Sequence, residues 1–285
     1  MKFTLTKRKK VNIIINIMCA GNVKVLDGMI IICISLSKYC KEAINLFVLT
    51  MDLREQNKDF IPIDKNQATK LENILKKSNN DSKVTLIDFT NEYKKDLEGV
   101  NKLNRYTPYA LLRLYADMMD EIPDKVLYVD TDVVFAQDVN KLYSIDVSDV
   151  ELAGVKDYYG HIFIGREYMN SGVLLLNMKK IRETKMFQKA RQMVLTKKML
   201  FADQDAINKL VTKKKLLPYC FNEQHKEKDD TVIRHFSKTL KFFPYFSTLN
   251  IKPWMVEEVR NVLHINCFDD ILNEYQKVKG EFLYE

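Results

Sequence analysis

Short apolar runs rich in β-branched residues alternate with segments of helical periodicity between residues 13 and 130. The apolar runs cover residues 13–19, 44–50, 83–88 and 125–130. The helical segments cover residues 27–38, 64–77 and 109–119, and the second of them opens with a capping box at Asp64 and Gln67. This alternation predicts an α/β fold in which a mostly parallel central sheet carries helices on both faces.

The alternation is looser after residue 138. The pattern there predicts strands at 151–155, 171–177 and 232–236, and helices at 178–196 and 203–211. From Asp269 onward it predicts an amphipathic helix whose apolar face carries Ile271, Leu272, Tyr275 and Val278. Because no repeat and no Pro/Gly-rich linker divides the chain, we expect a single domain over residues 1–285.

The composition is that of an ordinary globular protein. Of the 285 residues, 46% are hydrophobic and 29% are charged, which allows a large core. The five cysteines are odd in number and form no CxxC pair, so we predict reduced core residues in a cytoplasmic protein. They are Cys19, Cys33, Cys40, Cys220 and Cys267.

The net charge of +7 comes from dispersed lysines and from a basic cluster at residues 7–10. A solvated surface is the simpler explanation, and an anionic substrate or the inner face of a membrane is the alternative. The cluster precedes an apolar run, as in a signal peptide, but Asn12 and Asn16 interrupt the run, which we interpret as the first strand. No apolar stretch has the length of a membrane span. We expect no nucleic-acid binding, because no separate basic and aromatic stripe is present.

Two carboxylates end the fourth apolar run. Asp130 and Asp132 follow residues 126–129, a run typical of a strand that is buried on both faces. At the carboxyl ends of such strands, ligands bind in open α/β sheets. Two carboxylates about 6 Å apart repel by roughly 3 kcal/mol at an effective dielectric constant near 20. A hard cation such as Mn²⁺ or Mg²⁺ would relieve that repulsion. The alternative is a turn in which one aspartate caps the next segment.

His235 and Arg113 are candidates to join these aspartates. A lone histidine in an apolar run is usually structural, but His235 is followed by Lys238 and Lys241, as a metal ligand beside phosphate-binding lysines would be. Arg113 lies in an apolar helical segment. It either points into a site or pairs on the surface with Asp117, four residues on.

Two further motifs allow a structural and a functional interpretation. Asp203, Gln204 and Asp205 could cap a helix and fill its first turn, or could line a site. The Asn-Ser-Gly sequence at residues 170–172 could be a turn before a strand, or part of the same site.

Taken together and in order, these elements resemble the family 8 retaining glycosyltransferases. That family has the GT-A fold, includes bacterial lipopolysaccharide hexosyltransferases and is related to glycogenin. The resemblance covers roughly residues 13–254. It consists of YALLRL at 109–114, LYVDTD at 127–132, NSGV at 170–173, FADQDAIN at 201–208, and His235.

The resemblance implies a role for each matched residue. The metal ligands would be Asp130, Asp132 and His235. The donor sugar would be held by Arg113, Asn170 and Asp203, and Gln204 would lie near the anomeric carbon. The resemblance also implies a nucleotide-binding half at about 11–138, an acceptor and sugar half at about 139–254, and a helical tail at about 255–285.

The chain departs from the family pattern in two places. In the usual HxxGxxKPW motif, Lys238 takes the glycine position, and a literal Lys-Pro-Trp begins only at Lys252. Spacing favours Lys241 as the lysine that binds the diphosphate, with Lys252 as the alternative. The first loop, residues 19–24, lacks the acidic pair and tyrosine that commonly hold uracil, which leaves Asn22 as the candidate base contact.

The implied function is a metal-dependent transfer of a hexose, glucose or galactose, from a UDP-sugar to a saccharide or glycolipid acceptor. Such a step belongs to lipopolysaccharide or cell-surface polysaccharide synthesis, in the cytoplasm or at the inner face of the membrane. The family retains anomeric configuration, by a covalent adduct or a front-face route. An amide at Gln204 would be a poor nucleophile.

Two other functions stay open from the sequence. Residues 129–134 also satisfy the DxDx[TV] signature of haloacid-dehalogenase-like phosphatases, in which Asp130 would be the nucleophile, although no later GDxxxD-like motif is found. The chain could also bind sugar nucleotides without catalysing a reaction.

Overall fold

The computed structural model describes residues 13–96, 108–241, 245 and 247–283. Its strands are β1 (Ile14–Ala20), β2 (Ala43–Thr50), β3 (Lys83–Asp88), β4 (Lys125–Val129), β5 (Val133–Phe135), β6 (Leu152–Lys156), β7 (Met169–Asn177), β8 (Lys214–Leu217), β9 (Ile233–His235), β10 (Thr239–Lys241) and β11 (Ser247–Leu249). The basic cluster at residues 7–10 lies outside the described residues.

The helices of the described residues are α1 (Leu26–Tyr39), α2 (Lys65–Lys76), α3 (Thr90–Lys95), α4 (Asn140–Tyr143), α5 (Gly160–Phe163), α6 (Met178–Thr184), α7 (Met186–Thr196), α8 (Ala202–Leu210), α9 (Val256–Asn261) and α10 (Asp269–Leu283). Three further segments are 3-10 helices, at Val23–Val25, Pro108–Met118 and Tyr219–Phe221. The predicted capping box is present, because Asp64 and Gln67 exchange side-chain hydrogen bonds with each other's backbone N–H.

Within the described residues the central sheet has seven strands in the order β3-β2-β1-β4-β7-β6-β8. Strands β1 to β4 are parallel, and β7 runs antiparallel to both of its neighbours. This confirms the predicted mostly parallel sheet. The reversal of β7 brings its first residues beside the end of β4, where Val173 pairs with Val129 and the Asp130 N–H donates to the Gly172 carbonyl over 2.7 Å.

Apolar side chains of the strands point alternately to two buried clusters. In β1, Ile15, Ile17 and Cys19 belong to the cluster beneath α1, α2 and α10, whereas Met18 and Ala20 belong to the opposite one. The opposite cluster is covered by the 3-10 helix Pro108–Met118 and by α6, α7 and α8. Both faces of the sheet are therefore covered by helices, as predicted, which explains why its strands read as continuous apolar runs.

The structure corrects two predicted helices. The α-helix predicted at residues 109–119 is a 3-10 helix at Pro108–Met118, since an apolar run this short does not distinguish a period of 3.0 from one of 3.6. Residues 178–196 form two helices, because Lys185 adopts a left-handed conformation with φ 56° and ends α6 by donating its N–H to Arg182 and Ile181 carbonyls. After that break α7 packs on the 3-10 helix Pro108–Met118.

The cysteines are free but do not all lie in the core. Cys19, Cys33 and Cys40 are buried, whereas Cys220 is half-buried and Cys267 is exposed. Cys220 lies in the short 3-10 helix Tyr219–Phe221 and Cys267 lies in a turn before α10, so the prediction of core residues is wrong for both. Among the described residues, no helix combines the length and the apolar character that a membrane span needs.

Helix α1 packs closely against the turn that follows β4. A Cβ atom added to Gly28 would lie 2.7 Å from Trp254 Cζ3 and closer still to the Thr131 carbonyl oxygen. We expect Gly28→Ala to lower the free energy of unfolding by about 1–3 kcal/mol, since the backbone must move. Chemical denaturation with urea measures this change.

Gly280 is the matched control, because it lies in α10 and an added Cβ would meet no atom within 4 Å. Gly280→Ala should raise the free energy of unfolding by about 0.5–1 kcal/mol through helix propensity. Equal stability of the two variants would contradict the close packing of α1 on Thr131.

Candidate functional site

The turn between β4 and β5 carries the two aspartates, and β9 brings His235 to them. Strands β5 and β9 pair antiparallel with Val133 opposite His235, and the Phe236 N–H donates to the Asp132 carbonyl over 2.9 Å. Two short strands thus place an imidazole beside carboxylates that are distant in the sequence.

The three predicted metal ligands lie together. Ligand atoms of Asp130, Asp132 and His235 are all within 4.8 Å of one another. His235 Nε2 is 3.2 Å from Asp132 Oδ1 and 3.9 Å from Asp130 Oδ2. The imidazole is buried, with 4% of the side chain exposed, whereas 28% of the Asp130 side chain is exposed, so the cluster opens toward solvent on the Asp130 side.

The donor atoms of this cluster fit a divalent cation. Two carboxylates and one imidazole suit Mn²⁺ or Mg²⁺. His235 Nδ1 lies 3.0 Å from Asn222 Oδ1, and Nε2 is the ring nitrogen that faces the carboxylates. Metal ligation at Nε2 requires the form of the imidazole that carries a lone pair on that nitrogen.

Gly172 makes the cluster sterically feasible. A Cβ atom on this residue would lie 2.7 Å from Asp130 Oδ2 and closer still to His235 Cε1. The residue belongs to β7 rather than to a turn, so the turn interpretation of residues 170–172 is wrong. The missing side chain lets the two ligands approach the β7 backbone.

Arg113 is buried between two carboxylates. Its Nη2 lies 2.8 Å from Asp130 Oδ1, its Nε lies 3.2 Å from Asp203 Oδ2, and Nη1 donates to the Ser171 carbonyl. Its guanidinium stacks over the Tyr128 ring at 4.1 Å. Burial disfavours the charge, but Asp130, Tyr128 and Asp203 outweigh burial and raise the pKa of Arg113.

The surface interpretation of Arg113 is wrong, because only 3% of its side chain is exposed. Asp117, the proposed surface partner, is instead paired with Arg191.

The Asp203-Gln204 pair occupies the first turn of α8 and faces β7. Burial and the nearby Asp130 raise the pKa of Asp203, against the opposing effect of Arg113. The Ser171 hydroxyl donates to Asp203 Oδ2 over 3.3 Å, and the Ser171 N–H donates to Gln204 Oε1 over 2.9 Å. The capping interpretation is wrong, because the N-cap of α8 is Phe201 rather than one of these aspartates. The position of Asp203 in the first turn is compatible with the site interpretation.

Residues 16–257 match the profile of Glycosyl transferase family 8, which is most of the chain. The chain belongs to glycosyl transferase family 8. It is 39% identical over 74 residues to glycosyltransferase GlyA of Streptococcus pneumoniae, a match that covers 26% of this chain and 10% of GlyA. It is 31% identical over 100 residues to lipopolysaccharide 1,2-glucosyltransferase of Escherichia coli, covering 31% of this chain and 30% of that protein. The chain therefore spans only a small part of these relatives.

The fold is that of the GT-A glycosyltransferases. The galactosyltransferase LgtC, solved with donor and acceptor sugar analogs, superimposes with a TM-score of 0.64 and 18% identity. The match covers 94% of this chain and 96% of that structure. At this identity the likeness shows the fold, and the family assignment rests on the sequence profile.

Two site residues of this family 8 chain were missed from the sequence. Asp157 Oδ2 accepts hydrogen bonds from Asn170 Nδ2 over 3.0 Å and from Gln204 Nε2 over 3.3 Å. Its position directly after β6 was an available signal, because ligands gather at strand ends. Asn222 lies in an irregular loop and had no such signal.

Of the two candidate lysines, Lys252 lies at the aspartates. Its Nζ is 2.5 Å from Asp132 Oδ2 and 3.1 Å from the Phe236 carbonyl oxygen. Burial would raise the pKa of Asp132, but the ammonium group of Lys252 outweighs burial and holds that pKa well below its usual range. Lys241 ends β10, and its side chain lies outside the described part of the structure.

Asn22 lies at the carboxyl ends of the strands, as the aspartates do, but it has a local structural role. It follows β1, which pairs in parallel with β4 through Met18 and Tyr128. Its side chain is buried and accepts a hydrogen bond from the Lys24 N–H over 3.2 Å, capping the 3-10 helix Val23–Val25. Its contact with the base stays a prediction.

We expect Gly172→Ala to weaken Mn²⁺ binding about 10–100-fold, because an added methyl group displaces Asp130 and His235. Isothermal titration calorimetry with Mn²⁺ measures the affinity. Gly165→Ala is the control, since an added Cβ there meets no atom within 4 Å and should leave the affinity unchanged. Equal affinities of both variants and the wild type would place the cation elsewhere.

Proposed function

We propose that this chain is a metal-dependent retaining hexosyltransferase. It transfers glucose or galactose from a UDP-sugar to a saccharide or glycolipid acceptor. The observation that carries the proposal is the Asp130, Asp132 and His235 cluster, which lies beside the buried Arg113–Asp203 pair in a family 8 chain. The name of the Escherichia coli relative supports a role in lipopolysaccharide or cell-surface polysaccharide synthesis.

The charge of the site supports binding of a cation before the donor. Among the described residues, four carboxylates of the site (Asp130, Asp132, Asp157 and Asp203) face two cations (Arg113 and Lys252), an excess of two negative charges. That excess favours a divalent cation, which would neutralise the site and so allow a diphosphate to bind. The two aspartates Asp130 and Asp132 and His235 would hold Mn²⁺ or Mg²⁺, which would offset the charge on the leaving diphosphate.

Lys252 is the residue that we assign to the diphosphate. The sequence spacing favours Lys241, but the ammonium group of Lys252 reaches Asp132. It belongs to the literal Lys-Pro-Trp sequence, which supports an insertion between His235 and the motif. An ammonium group there would stabilise charge that grows on the leaving oxygen.

The hexose would be bound on the side of Asp130 that faces Arg113, away from Lys252. Arg113 would fix the Asp130 and Asp203 carboxylates. Asp203 would accept hydrogen bonds from sugar hydroxyls, and Asn170 would donate hydrogen bonds to them. Gln204 is held at both ends of its amide, by the Ser171 N–H and by Asp157. A held amide is a poor nucleophile, but its carbonyl dipole can stabilise positive charge at the anomeric carbon.

A panel of sugar nucleotides tests the reaction. With Mn²⁺ present, we expect slow hydrolysis of UDP-glucose or UDP-galactose, followed as release of UDP. Asp132→Asn and His235→Ala should abolish it, because each removes a cation ligand. Asp149→Asn, an exposed position, is the matched control and should retain the wild-type rate.

Three outcomes would contradict the proposal in different ways. Equal turnover by Asp132→Asn and wild type would exclude the metal site. Binding of a sugar nucleotide that depends on Mn²⁺, without hydrolysis or transfer to any acceptor, would support the non-catalytic alternative. A phosphorylated Asp130 would support the phosphatase.

The two lysines can be separated by kinetics. We expect Lys252→Ala to lower kcat/KM for the UDP-sugar by about 10²–10³-fold, the usual cost of losing one stabiliser of developing charge. Lys241→Ala should cause a smaller loss. The reverse order of the two variants would restore Lys241 as the diphosphate ligand.

A further inference from the structure

A line of side-chain hydrogen bonds runs from His235 into the sugar side of the site. His235 Nδ1 lies 3.0 Å from Asn222 Oδ1, and Asn222 Nδ2 donates to Asn170 Oδ1 over 3.0 Å. Asn170 Nδ2 in turn donates to Asp157 Oδ2 over 3.0 Å. Asn222 is fully buried, so these hydrogen bonds replace the ones that its amide would make to water.

The direction of every bond in this line is fixed by groups that cannot reverse. The Gly172 backbone N–H can only donate, and it donates to Asn170 Oδ1 over 2.9 Å. The Asp157 carboxylate can only accept, so Asn170 presents its NH₂ group to Asp157 and its oxygen to Gly172 and Asn222. Asn222 must therefore present its NH₂ group to Asn170 and its oxygen to His235.

An oxygen beside His235 Nδ1 selects one form of the neutral imidazole. In that form Nδ1 carries the hydrogen and Nε2 carries the lone pair. The other tautomer would place an N–H on Nε2, which lies 3.2 Å from Asp132 Oδ1 and would donate to it. That hydrogen bond would occupy both a nitrogen and an oxygen ligand of the cation.

We propose that Asn222 is a positioning residue that holds His235 in the Nδ1–H tautomer and so keeps Nε2 ready for a divalent cation. The inference rests on the proposed function, in which the cluster of Asp130, Asp132 and His235 binds that cation. Because Asn170 orients Asn222, a residue that we assign to the donor sugar also sets the tautomer of the metal ligand His235.

The tautomer can be observed directly in the metal-free protein. Long-range ¹H–¹⁵N spectra of the 285-residue chain labelled with [¹⁵N]histidine are recorded at pH 8. The chain has four histidines, and the His235 signals are those that disappear in His235→Ala. We expect the Nδ1–H tautomer in wild type, and the Nε2–H tautomer or a mixture in Asn222→Leu.

Calorimetry with Mn²⁺ alone gives the second readout. We expect Asn222→Leu to bind Mn²⁺ about 10–100-fold more weakly than wild type, the usual cost of removing the hydrogen-bond partner of a ligating histidine. Asn45→Leu is the matched control, because it removes the hydrogen bond from Asn45 to Asn16 near the amino-terminal ends of β1 and β2, away from the aspartates. It should change neither the tautomer nor the affinity.

Asn222→Asp covers the case in which Asn222→Leu does not fold. It keeps an oxygen acceptor beside His235, and we expect it to retain the Nδ1–H tautomer. The Nε2–H tautomer in wild type or in Asn222→Asp would overturn the inference. Unchanged tautomer and Mn²⁺ affinity in Asn222→Leu would also overturn it.

These results are separable from the proposed function. If wild type shows the expected tautomer and Mn²⁺ affinity but turns over no sugar nucleotide, the hexosyltransferase proposal fails and the role of Asn222 stands. If sugar transfer is observed and Asn222→Leu behaves as wild type in both measurements, the hexosyltransferase proposal stands and the role of Asn222 fails.

Discussion

The buried guanidinium of Arg113 is the interaction on which the rest of the site depends. It joins the 3-10 helix Pro108–Met118 to Asp130 after β4, to the Ser171 carbonyl in β7 and to Asp203 in α8. Breaking a buried ion pair by removing one partner typically costs about 3–5 kcal/mol, because a charge is left without compensation. Four elements are thus held in one arrangement by a group that is too costly to displace, and Asp130 and Asp203 take their positions from it.

The sequence predicted the parts of this site that depend on strands. Asp130 and Asp132 could be found because an apolar run marks a buried strand, and the carboxyl end of such a strand is where ligands bind. The helices on both faces followed from the same alternation. His235, Arg113 and Gln204 could be placed only through the resemblance to family 8, since their local sequences allow a structural interpretation equally well.

What the sequence could not predict depends on contacts between distant loops. Asn222 has no periodic pattern around it, and its importance arises from hydrogen bonds to Asn170 and His235. Asp157 follows a predicted strand, but its contacts with Asn170 and Gln204 join segments that are distant in the sequence. The choice between Lys241 and Lys252 depends on how the chain returns after β9, which spacing alone does not encode. The break at Lys185 is similar, because one residue in a left-handed conformation leaves the apolar periodicity on either side intact.

The ion pair between Lys252 and Asp132 joins residues that are 120 positions apart. During synthesis on the ribosome, the aspartates therefore emerge long before the histidine and the lysine that complete their surroundings. Contacts of such long sequence separation form slowly, because a long loop must close first. A nascent chain that has not reached Lys252 carries two neighbouring carboxylates without that counterion, so the reactive centre stays incomplete until residue 252 has been added.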